Sequence, residues 1–432
     1  CYLIRDEFGD RMQQEEMFQT IRLTLQPERP VRSVEFLRGR SKEFDQTIRE
    51  LQHFDGVPFI FGHRGVGKTS LARTAAQIAT KSDREHIYVA CAPGCSMLEI
   101  FRELGEGLLA LAIKFNPKNI VLEKFEIQLS ANPYIKASFE NNIPQLGEFK
   151  DANAAVRTLK ALDDLLPDAR MTVVVIDELE ELNEVDRNSL AFLIKQIGDQ
   201  EFSTRFVLVG IAENVHELIG AHESVPRYIT EVPLKPLIAQ DLMDIVSRAA
   251  NALDVTVPKD VLYRIAIIGN GFPYYAHLIG KTLLVEAITH EANEVTLEIY
   301  EEGIRQAISQ SLQELKVSYE AAVQRGQDYF KHLVWALADF DVVDIRTDEW
   351  QERYTELCKK NGWTETDLRK VRNALNNMKG ESYGEIIRIT PAKYGSAERR
   401  YRYRRFRNPL MKGYVRLQAE HEGVQLGGAT SL

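Results

Sequence analysis

The sequence has few cysteines and no long apolar segment, and both absences restrict the class of protein. Its four cysteines stand at positions 1, 91, 95 and 358, so the one close pair lacks the second pair of a four-cysteine zinc site. No segment approaches the roughly 18 consecutive apolar residues that cross a membrane. The richest run, MTVVVI, has the length of one strand. With no recognisable secretory signal pattern, these features predict a cytoplasmic protein with reduced thiols.

Charged residues are unevenly distributed along the chain. The 432 residues have a net charge of −9, which by itself disfavours a nucleic-acid partner. Residues 369–416, however, contain fourteen basic residues and three glutamates, a local charge of +11 that leaves −20 for the remainder. A chain of this length is expected to form two or three domains. The asymmetry predicts that the basic region meets either an anionic partner or the acidic surface of the rest of the chain.

The segment GHRGVGKTS, residues 62–70, fits the phosphate-loop pattern G-x-x-x-x-G-K-[ST]. It follows GVPFIF, an apolar run typical of a buried strand, and precedes SLARTAAQIAT, where apolar residues recur at helical spacing. Glycines let backbone N–H groups surround an anion, and a helix N-terminus and a lysine add positive charge. The alternative is a glycine-rich turn that binds nothing. The predicted nucleotide-binding residues here are Gly62, His63, Arg64, Gly65, Val66, Gly67, Lys68, Thr69 and Ser70.

Polar or charged residues flank three further strand-like runs. Asp177 and Glu178 end the strand-like VVVI, where a carboxylate could hold magnesium and its neighbour could polarise water. Glu213 and Asn214 follow RFVLVGIA and are expected at the same carboxyl edge of a parallel sheet. Arg227 stands just before another short strand, where it could equally be an ordinary solvated arginine.

The 109 residues between Lys68 and Asp177 are more than one strand and two helices require. The excess includes FEIQLS and YIKASFE, which alternate around the turn residues ANP. This pattern predicts an inserted hairpin at about residues 120–142, either decorative or lining an assembly channel.

These features in this order resemble the AAA+ ATPases, in particular origin-recognition and helicase-loading proteins and the STAND-type signalling ATPases. The resemblance covers roughly residues 34–320 and also includes the leading RGR at 38–40 and a helical lid. It implies an α/β fold: a P-loop NTPase domain with a parallel sheet over 34–236, and the lid over 237–320. The polar residues 1–33, which precede the resemblance, are interpreted as an N-terminal arm.

The resemblance also implies ATP and Mg²⁺ as cofactors and assigns roles at matching positions. The phosphate loop and Arg38 would contact the nucleotide, Thr69 and Asp177 would hold magnesium, and Glu178 would activate the attacking water. Catalysis would also use Asn214 as the first sensor, with Glu213 an alternative because the register is open by one residue.

Two further positions bear on how the protein assembles and switches. The resemblance makes Arg227 an arginine finger that reaches the nucleotide of a neighbouring subunit, which implies a homo-oligomer. In the lid, Gly271-Phe272-Pro273 stands where initiator-type members tend to carry a second-sensor arginine. The Gly-x-Pro form is instead similar to the STAND lid, which implies that Pro273 packs near the adenine and favours nucleotide-driven switching.

Residues from about 321 onward are predicted to form three helices followed by a hairpin. The segments are RGQDYFKHLVWALADF, RTDEWQERYTELCKKNG, TETDLRKVRNALNNMKG and GEIIRITPAKYGSAERRYRYRRFRN. This order predicts a winged helix over 321–420, with a flexible tail over 421–432. Arg369 and Arg372 would lie on the third helix, placed to enter a DNA major groove.

In the predicted wing, Arg400, Arg402 and Arg404 recur at period two, so they would share one strand face. A row of cations on that spacing can follow a phosphate backbone, although it could also face the acidic ATPase domain. The sequence therefore predicts an ATP-hydrolysing AAA+ protein that oligomerises with nucleotide and engages DNA. The alternative is a STAND-like signalling or defence switch whose winged helix makes protein contacts.

Overall fold

The computed structural model describes residues 14–27, 37–54, 56–81, 86–115, 137–140, 143–167, 171–212, 225–324, 327–390 and 403–427. The chain folds as two compact units. The sheet unit comprises Pro30–His63 and Gly67–Lys235, and the helical unit comprises Cys1–Arg29, Arg64–Val66 and Pro236–Leu432. Helix α1, residues 14–24, belongs to the helical unit. None of the helices in the described ranges combines the length and apolar character that crossing a membrane needs.

The sheet unit is built on a parallel sheet. Its strands are β1 (Val57–Gly62), β2 (His86–Ala90), β3 (Ala137–Glu140), β4 (Ile143–Leu146), β5 (Val173–Asp177), β6 (Arg205–Gly210) and β7 (Ile229–Leu234). Five of them pair in parallel in the order β2-β5-β6-β1-β7. All five residues of β5 are buried, which is typical of a parallel strand covered on both faces. The predicted α/β fold with a parallel sheet is confirmed.

In the described part of the sheet unit, five helices accompany this sheet: α2 (Ser41–His53), α3 (Lys68–Thr80), α4 (Met97–Phe115), α5 (Ala152–Asp163) and α6 (Glu184–Asp199). Apolar side chains of α4, α5 and α6 join those of the strands in one core that includes Phe59, Phe101 and Ile176. Asp163, at the end of α5, is buried and accepts the backbone N–H groups of Ser203 and Thr204, each at 2.8 Å. This carboxylate fixes the end of α5 to the chain entering β6.

The insertion predicted at residues 120–142 is described only in part. Strands β3 and β4 pair antiparallel as a short hairpin. Residues 137–140 therefore pair with the segment that follows them in the chain, whereas the predicted partner, FEIQLS, lies outside the described residues.

The helical unit continues with α7 (Ala239–Asn251), α8 (Lys259–Gly269), α9 (Pro273–Thr289), α10 (Leu297–Gln310) and α11 (Gln313–Val323). Gly271 joins α8 to α9 with φ +83°, and a Cβ there would lie 2.5 Å from the Cβ of Pro236. Pro273 occupies the first position of α9, where its missing N–H carries no cost. The segment GNGFPYYAHLIG thus forms a tight turn into a helix.

The last part of the chain contains α12 (Tyr329–Ala338), β8 (Ile345–Arg346), α13 (Thr347–Asn361), α14 (Leu368–Asn377), β9 (Ile387–Thr390), β10 (Tyr403–Phe406) and α15 (Met411–His421). The three strands form an antiparallel sheet in the order β8-β10-β9. Three helices and an antiparallel pair of strands follow one another in the order predicted for a winged helix. We call residues 327–427 the C-terminal module.

The predicted flexible tail over 421–432 is wrong for its first half. Leu426 is buried, and the backbone N–H of Gly427 donates to Asp339 Oδ1 at 2.7 Å. The burial of Leu426 and the hydrogen bond of Gly427 therefore hold in place residues that the sequence alone predicts to be a flexible tail. Residues 428–432 lie outside the described part of the chain.

Candidate nucleotide site

The phosphate loop joins β1 to α3, in the order that the sequence predicts. Gly62, Gly65 and Gly67 have φ values of 147°, 81° and 95°, a region that side-chain-bearing residues rarely adopt. A Cβ at Gly62 would also lie 2.4 Å from the carbonyl oxygen of Leu234 on β7. Glycine is therefore required here for backbone reasons, and the loop has the conformation that an anion-binding turn needs.

Helix α3 begins at Lys68, directly after the last of these glycines. Lys68 is buried, and its Nζ donates to the carbonyl oxygen of His63 at 3.0 Å, so the side chain lies back along the loop. No acidic residue occupies the first turn of α3. The positive end of the helix and the ammonium group therefore reinforce each other, an arrangement that suits phosphate oxygens. Arg64 is exposed, Val66 is buried, and Thr69 and Ser70 are partly exposed.

Asp177 and Glu178 lie at the carboxyl end of β5. Asp177 is 2% exposed, and its Oδ1 accepts the backbone N–H of Glu178 at 2.8 Å. Glu178 has an exposed side chain and left-handed backbone angles, φ 59° and ψ 39°. Such angles cost a residue with a Cβ about 1 kcal/mol or more and cluster at functional sites. The turn fixes one carboxylate in the sheet and turns the next one outward.

Tyr88 is part of this site and was missed by sequence reasoning. It lies on β2, beside β5, and its hydroxyl donates to Asp177 Oδ2 at 3.0 Å. The Arg73 guanidinium lies 4.4 Å from the centre of the Tyr88 ring. Burial and the negative charge of Asp177 raise the pKa of Tyr88, so the phenol stays a hydrogen-bond donor. Each oxygen of Asp177 therefore accepts a hydrogen bond that sets its orientation.

These features fit a magnesium-bound nucleotide. The glycine loop and the helix N-terminus match phosphate oxygens. The buried, oriented carboxylate of Asp177 and a hydroxyl in the first turn of α3 are oxygen ligands of the type that magnesium prefers. The residues that could hold the ion are Thr69 and Asp177.

Arg227 lies in the 3₁₀ turn Pro226–Tyr228, just before β7. Strand β7 runs parallel to β1 with Val57 opposite Ile229 and Gly62 opposite Leu234. Arg227 therefore lies at the amino edge of the sheet, whereas the phosphate loop leaves its carboxyl edge. Five strand residues at about 3.3 Å each separate the two edges by roughly 17 Å. Both candidates for the first sensor, Glu213 and Asn214, lie outside the described residues.

Arg40, the last residue of the RGR segment, is buried. It is 5% exposed, and its Nη2 donates to the carbonyl oxygen of Lys235 at 2.7 Å. Arg40 also lies 3.6 Å from Glu43 Oε1. Arg38 is partly buried, and its contact with the nucleotide stays a prediction.

The lid residues behave as core residues of the helical unit. Pro273 is partly buried, and its contact with adenine stays a prediction. His277, one turn further along α9, is buried, and burial lowers its pKa to about 4. The imidazole is therefore neutral at neutral pH.

The third helix of the C-terminal module, α14, presents a polar face. Arg369, Arg372, Asn373 and Asn376 are exposed, while Val371, Ala374 and Leu375 are buried. The two arginines therefore lie at the surface with polar side chains beside them, and their contact with DNA stays a prediction.

The predicted row of wing arginines is wrong for Arg404. This residue is 2% exposed, and its guanidinium donates to Thr347 Oγ1 at 3.0 Å, the Leu375 carbonyl at 3.0 Å and Asn376 Oδ1 at 2.9 Å. Side chains alternate along β10, so period two correctly identifies residues that share a face, but that face at Arg404 is the buried one. Arg400 and Arg402 lie outside the described residues.

Comparisons with known proteins agree with this architecture. Residues 52–219 match the family model of the AAA domain. The chain is similar to the Walker-type ATPase PABY2304 of Pyrococcus abyssi, with 17% identity and a TM-score of 0.50 over 90% of this chain and 99% of that one. It is also similar to the ORC1 protein of Aeropyrum pernix, whose structure was solved in complex with DNA, with 14% identity and a TM-score of 0.45 over 89% and 93% of the two chains. A search of curated proteins found no match. The match covers residues 52–219, and the parallel sheet agrees with the P-loop fold that the resemblance implied.

Proposed function

We propose that the protein hydrolyses ATP and assembles with nucleotide into homo-oligomers. The observation that carries the proposal is the meeting of two elements at one sheet edge: the glycine loop with buried Lys68, and the Asp177-Glu178 pair that ends β5. A phosphate-binding loop beside an oriented carboxylate and an exposed one is the combination that phosphoryl transfer to water uses.

The residues of the candidate nucleotide site have separate roles in binding and hydrolysis. Backbone N–H groups of the loop and Lys68 bind the phosphates, and Thr69 and Asp177 hold magnesium. When bound, magnesium would neutralise charge on the phosphate oxygens. Glu178, whose carboxylate is exposed, orients the attacking water and accepts its proton. Tyr88 keeps the Asp177 carboxylate in place through its hydrogen bond.

The placement of Arg227 supports assembly. Because it lies at the amino edge of the sheet, it stands roughly 17 Å away from the phosphate loop of its own subunit along the strand direction. An exposed arginine on that edge is suited to a nucleotide held by the carboxyl edge of a second copy. We infer that it acts as an arginine finger between subunits.

Three variants test this assembly. Arg227→Ala should keep ATP affinity while turnover falls by about 10³-fold, because a finger stabilises charge mainly in the transition state. Arg248→Ala, at an exposed arginine on α7, is the matched control and should hydrolyse ATP normally. Lys68→Ala subunits retain their own Arg227, so adding them should partly restore turnover to Arg227→Ala protein. Mixed oligomers that stay inactive would contradict a finger that acts between subunits.

DNA engagement is proposed for the exposed face of α14. Arg369 and Arg372 are one turn apart on a helix whose opposite side packs in the module. Replacing both by Gln should weaken duplex binding and flatten the slope of log affinity against log salt by up to about 1.8, or 0.9 per phosphate contact. The control replaces two exposed basic residues of the lid, Arg248→Gln with Lys259→Gln. If the α14 variant keeps the wild-type slope of log affinity against log salt, helix α14 does not contact the DNA phosphates.

The ion pairs of the wing favour the second candidate function, a nucleotide-dependent switch whose C-terminal module makes protein contacts. Arg405 lies 3.4 Å from Asp344 Oδ1, and Arg407 forms an ion pair with Glu385, so these cations meet carboxylates of the module itself. Absence of duplex binding at low salt, where electrostatic binding is strongest, would favour the switch over DNA engagement.

A further inference from the structure

Arg227 is held by its neighbour in the chain. Its guanidinium carbon lies 4.6 Å from the centre of the Tyr228 ring, and its Nη2 donates to the Tyr228 hydroxyl. The same hydroxyl donates to Asp199 Oδ1 at 2.6 Å. Three side chains of the sheet unit therefore form a chain of hydrogen bonds that ends at an exposed arginine.

The end of α6 is shaped to receive this tyrosine. Gly198 lies against the ring, and a Cβ there would come 2.3 Å from Tyr228 Cε1, so no larger residue fits without displacing the ring. Asp199 is the last residue of α6. A carboxylate at a helix C-terminus faces the partial negative charge of the final carbonyl groups, which is unfavourable for the helix. The hydrogen bond from Tyr228 gives the Asp199 carboxylate a favourable interaction that helix α6 does not provide.

The chain of hydrogen bonds also orders the arginine. A hydroxyl that donates to a carboxylate becomes a better acceptor, because hydrogen bonds in series polarise one another. Stacking on the ring adds a cation–π contact to the same guanidinium. An exposed arginine normally samples many rotamers, so holding it before a partner arrives lowers the entropic cost of using it.

We propose that Tyr228, anchored by Asp199 and by the clearance at Gly198, is the positioning residue for Arg227. The inference rests on the proposed function of Arg227 as a finger between subunits. The group that the finger meets is the charged phosphate of a nucleotide bound to a second copy of this chain. Tyr228 does not touch that nucleotide and acts through the arginine alone.

The test compares single and double variants in the full chain. Tyr228→Phe keeps the ring and the stacking but removes the hydroxyl, and should lower kcat roughly tenfold with KM for ATP within about twofold, as for loss of one hydrogen bond to a charged group. Asp199→Asn should have a smaller effect in the same direction, since its amide oxygen still accepts from the hydroxyl. Tyr263→Phe, at a 38% exposed tyrosine of α8, controls for the substitution itself.

The double variant Tyr228→Phe with Arg227→Ala separates positioning from general structure. If Tyr228 acts only through Arg227, the double variant should be no slower than Arg227→Ala, because the second change has nothing left to remove. The nucleotide affinity of Tyr228→Phe should match that of the wild type. Lys68→Ala subunits carry an intact Tyr228, so adding them should restore turnover to the Tyr228→Phe protein.

Each outcome decides something. A further loss in the double variant, or wild-type turnover in Tyr228→Phe while Arg227→Ala is slow, would overturn the positioning role and leave the proposed function standing. Normal turnover in Arg227→Ala would instead overturn the finger, and with it the premise of this inference.

Discussion

Replacing Arg404 by Gln should destabilise the C-terminal module, although the sequence predicts that this basic segment faces either DNA or the acidic ATPase domain. Its guanidinium makes three hydrogen bonds, to α13, to a carbonyl of α14 and to a side chain of α14. A hydrogen bond from a charged donor contributes about 1.5 kcal/mol net. Glutamine is shorter and reaches at most one of the three acceptors, so we expect the free energy of unfolding to fall by about 3 kcal/mol.

The three tryptophans of the chain make this measurement selective, because Trp335, Trp350 and Trp363 all lie in the C-terminal module. Urea unfolding followed by tryptophan fluorescence therefore reports on the module that contains Arg404. Arg388→Gln is the matched control, since Arg388 is an exposed arginine on the adjoining strand β9, and its effect should stay within about 0.5 kcal/mol. If Arg404→Gln unfolds at the wild-type urea concentration, the guanidinium does not hold the module together and the buried placement is refuted.

Three further outcomes follow from the nucleotide site and the lid. Lys68→Ala should lose tight ATP binding, measured with a fluorescent nucleotide, because it removes the buried cation of the phosphate loop. Glu178→Gln should bind ATP normally while phosphate release falls at least a hundredfold, since only proton acceptance is lost; turnover at the wild-type rate would exclude Glu178 as the base. Burial lowers the pKa of His277 from 6.5 to about 4. Between pH 6.5 and pH 4 the imidazole binds a proton in the unfolded chain but not in the folded one, so acidification lowers the free energy of unfolding. His277→Leu should therefore lose about 2 kcal/mol less stability between pH 7.5 and pH 5 than the wild type, measured by urea unfolding at both pH values.

The nucleotide site was largely predictable because its parts are local in sequence. The phosphate loop is one contiguous segment, and Asp177 and Glu178 directly follow the apolar run that forms β5. Tyr88 was not predictable, because it meets Asp177 across 89 residues and only the pairing of β2 with β5 brings them together. The contact of Tyr228 with Asp199 has the same cause, since 29 residues separate them.

The parallel sheet was predictable for a related reason. Runs such as VVVI and RFVLVG are apolar throughout, as strands covered on both faces must be. Arg404 shows the limit of such patterns. The alternation of side chains predicts which residues share a face of β10. Whether that face contacts solvent or α14 depends on tertiary packing, which the local sequence does not predict.

The hydrogen bond from Arg40 to the carbonyl oxygen of Lys235 has a practical consequence for dissecting the chain. It spans 195 residues and ties the start of α2 to the residue at which the sheet unit ends. A fragment that starts after Arg40 deprives that carbonyl of its donor, and one that stops before Lys235 deprives a buried guanidinium of an acceptor. Residues 37–235 retain both partners, and we expect this stretch to be the minimal fragment that folds independently.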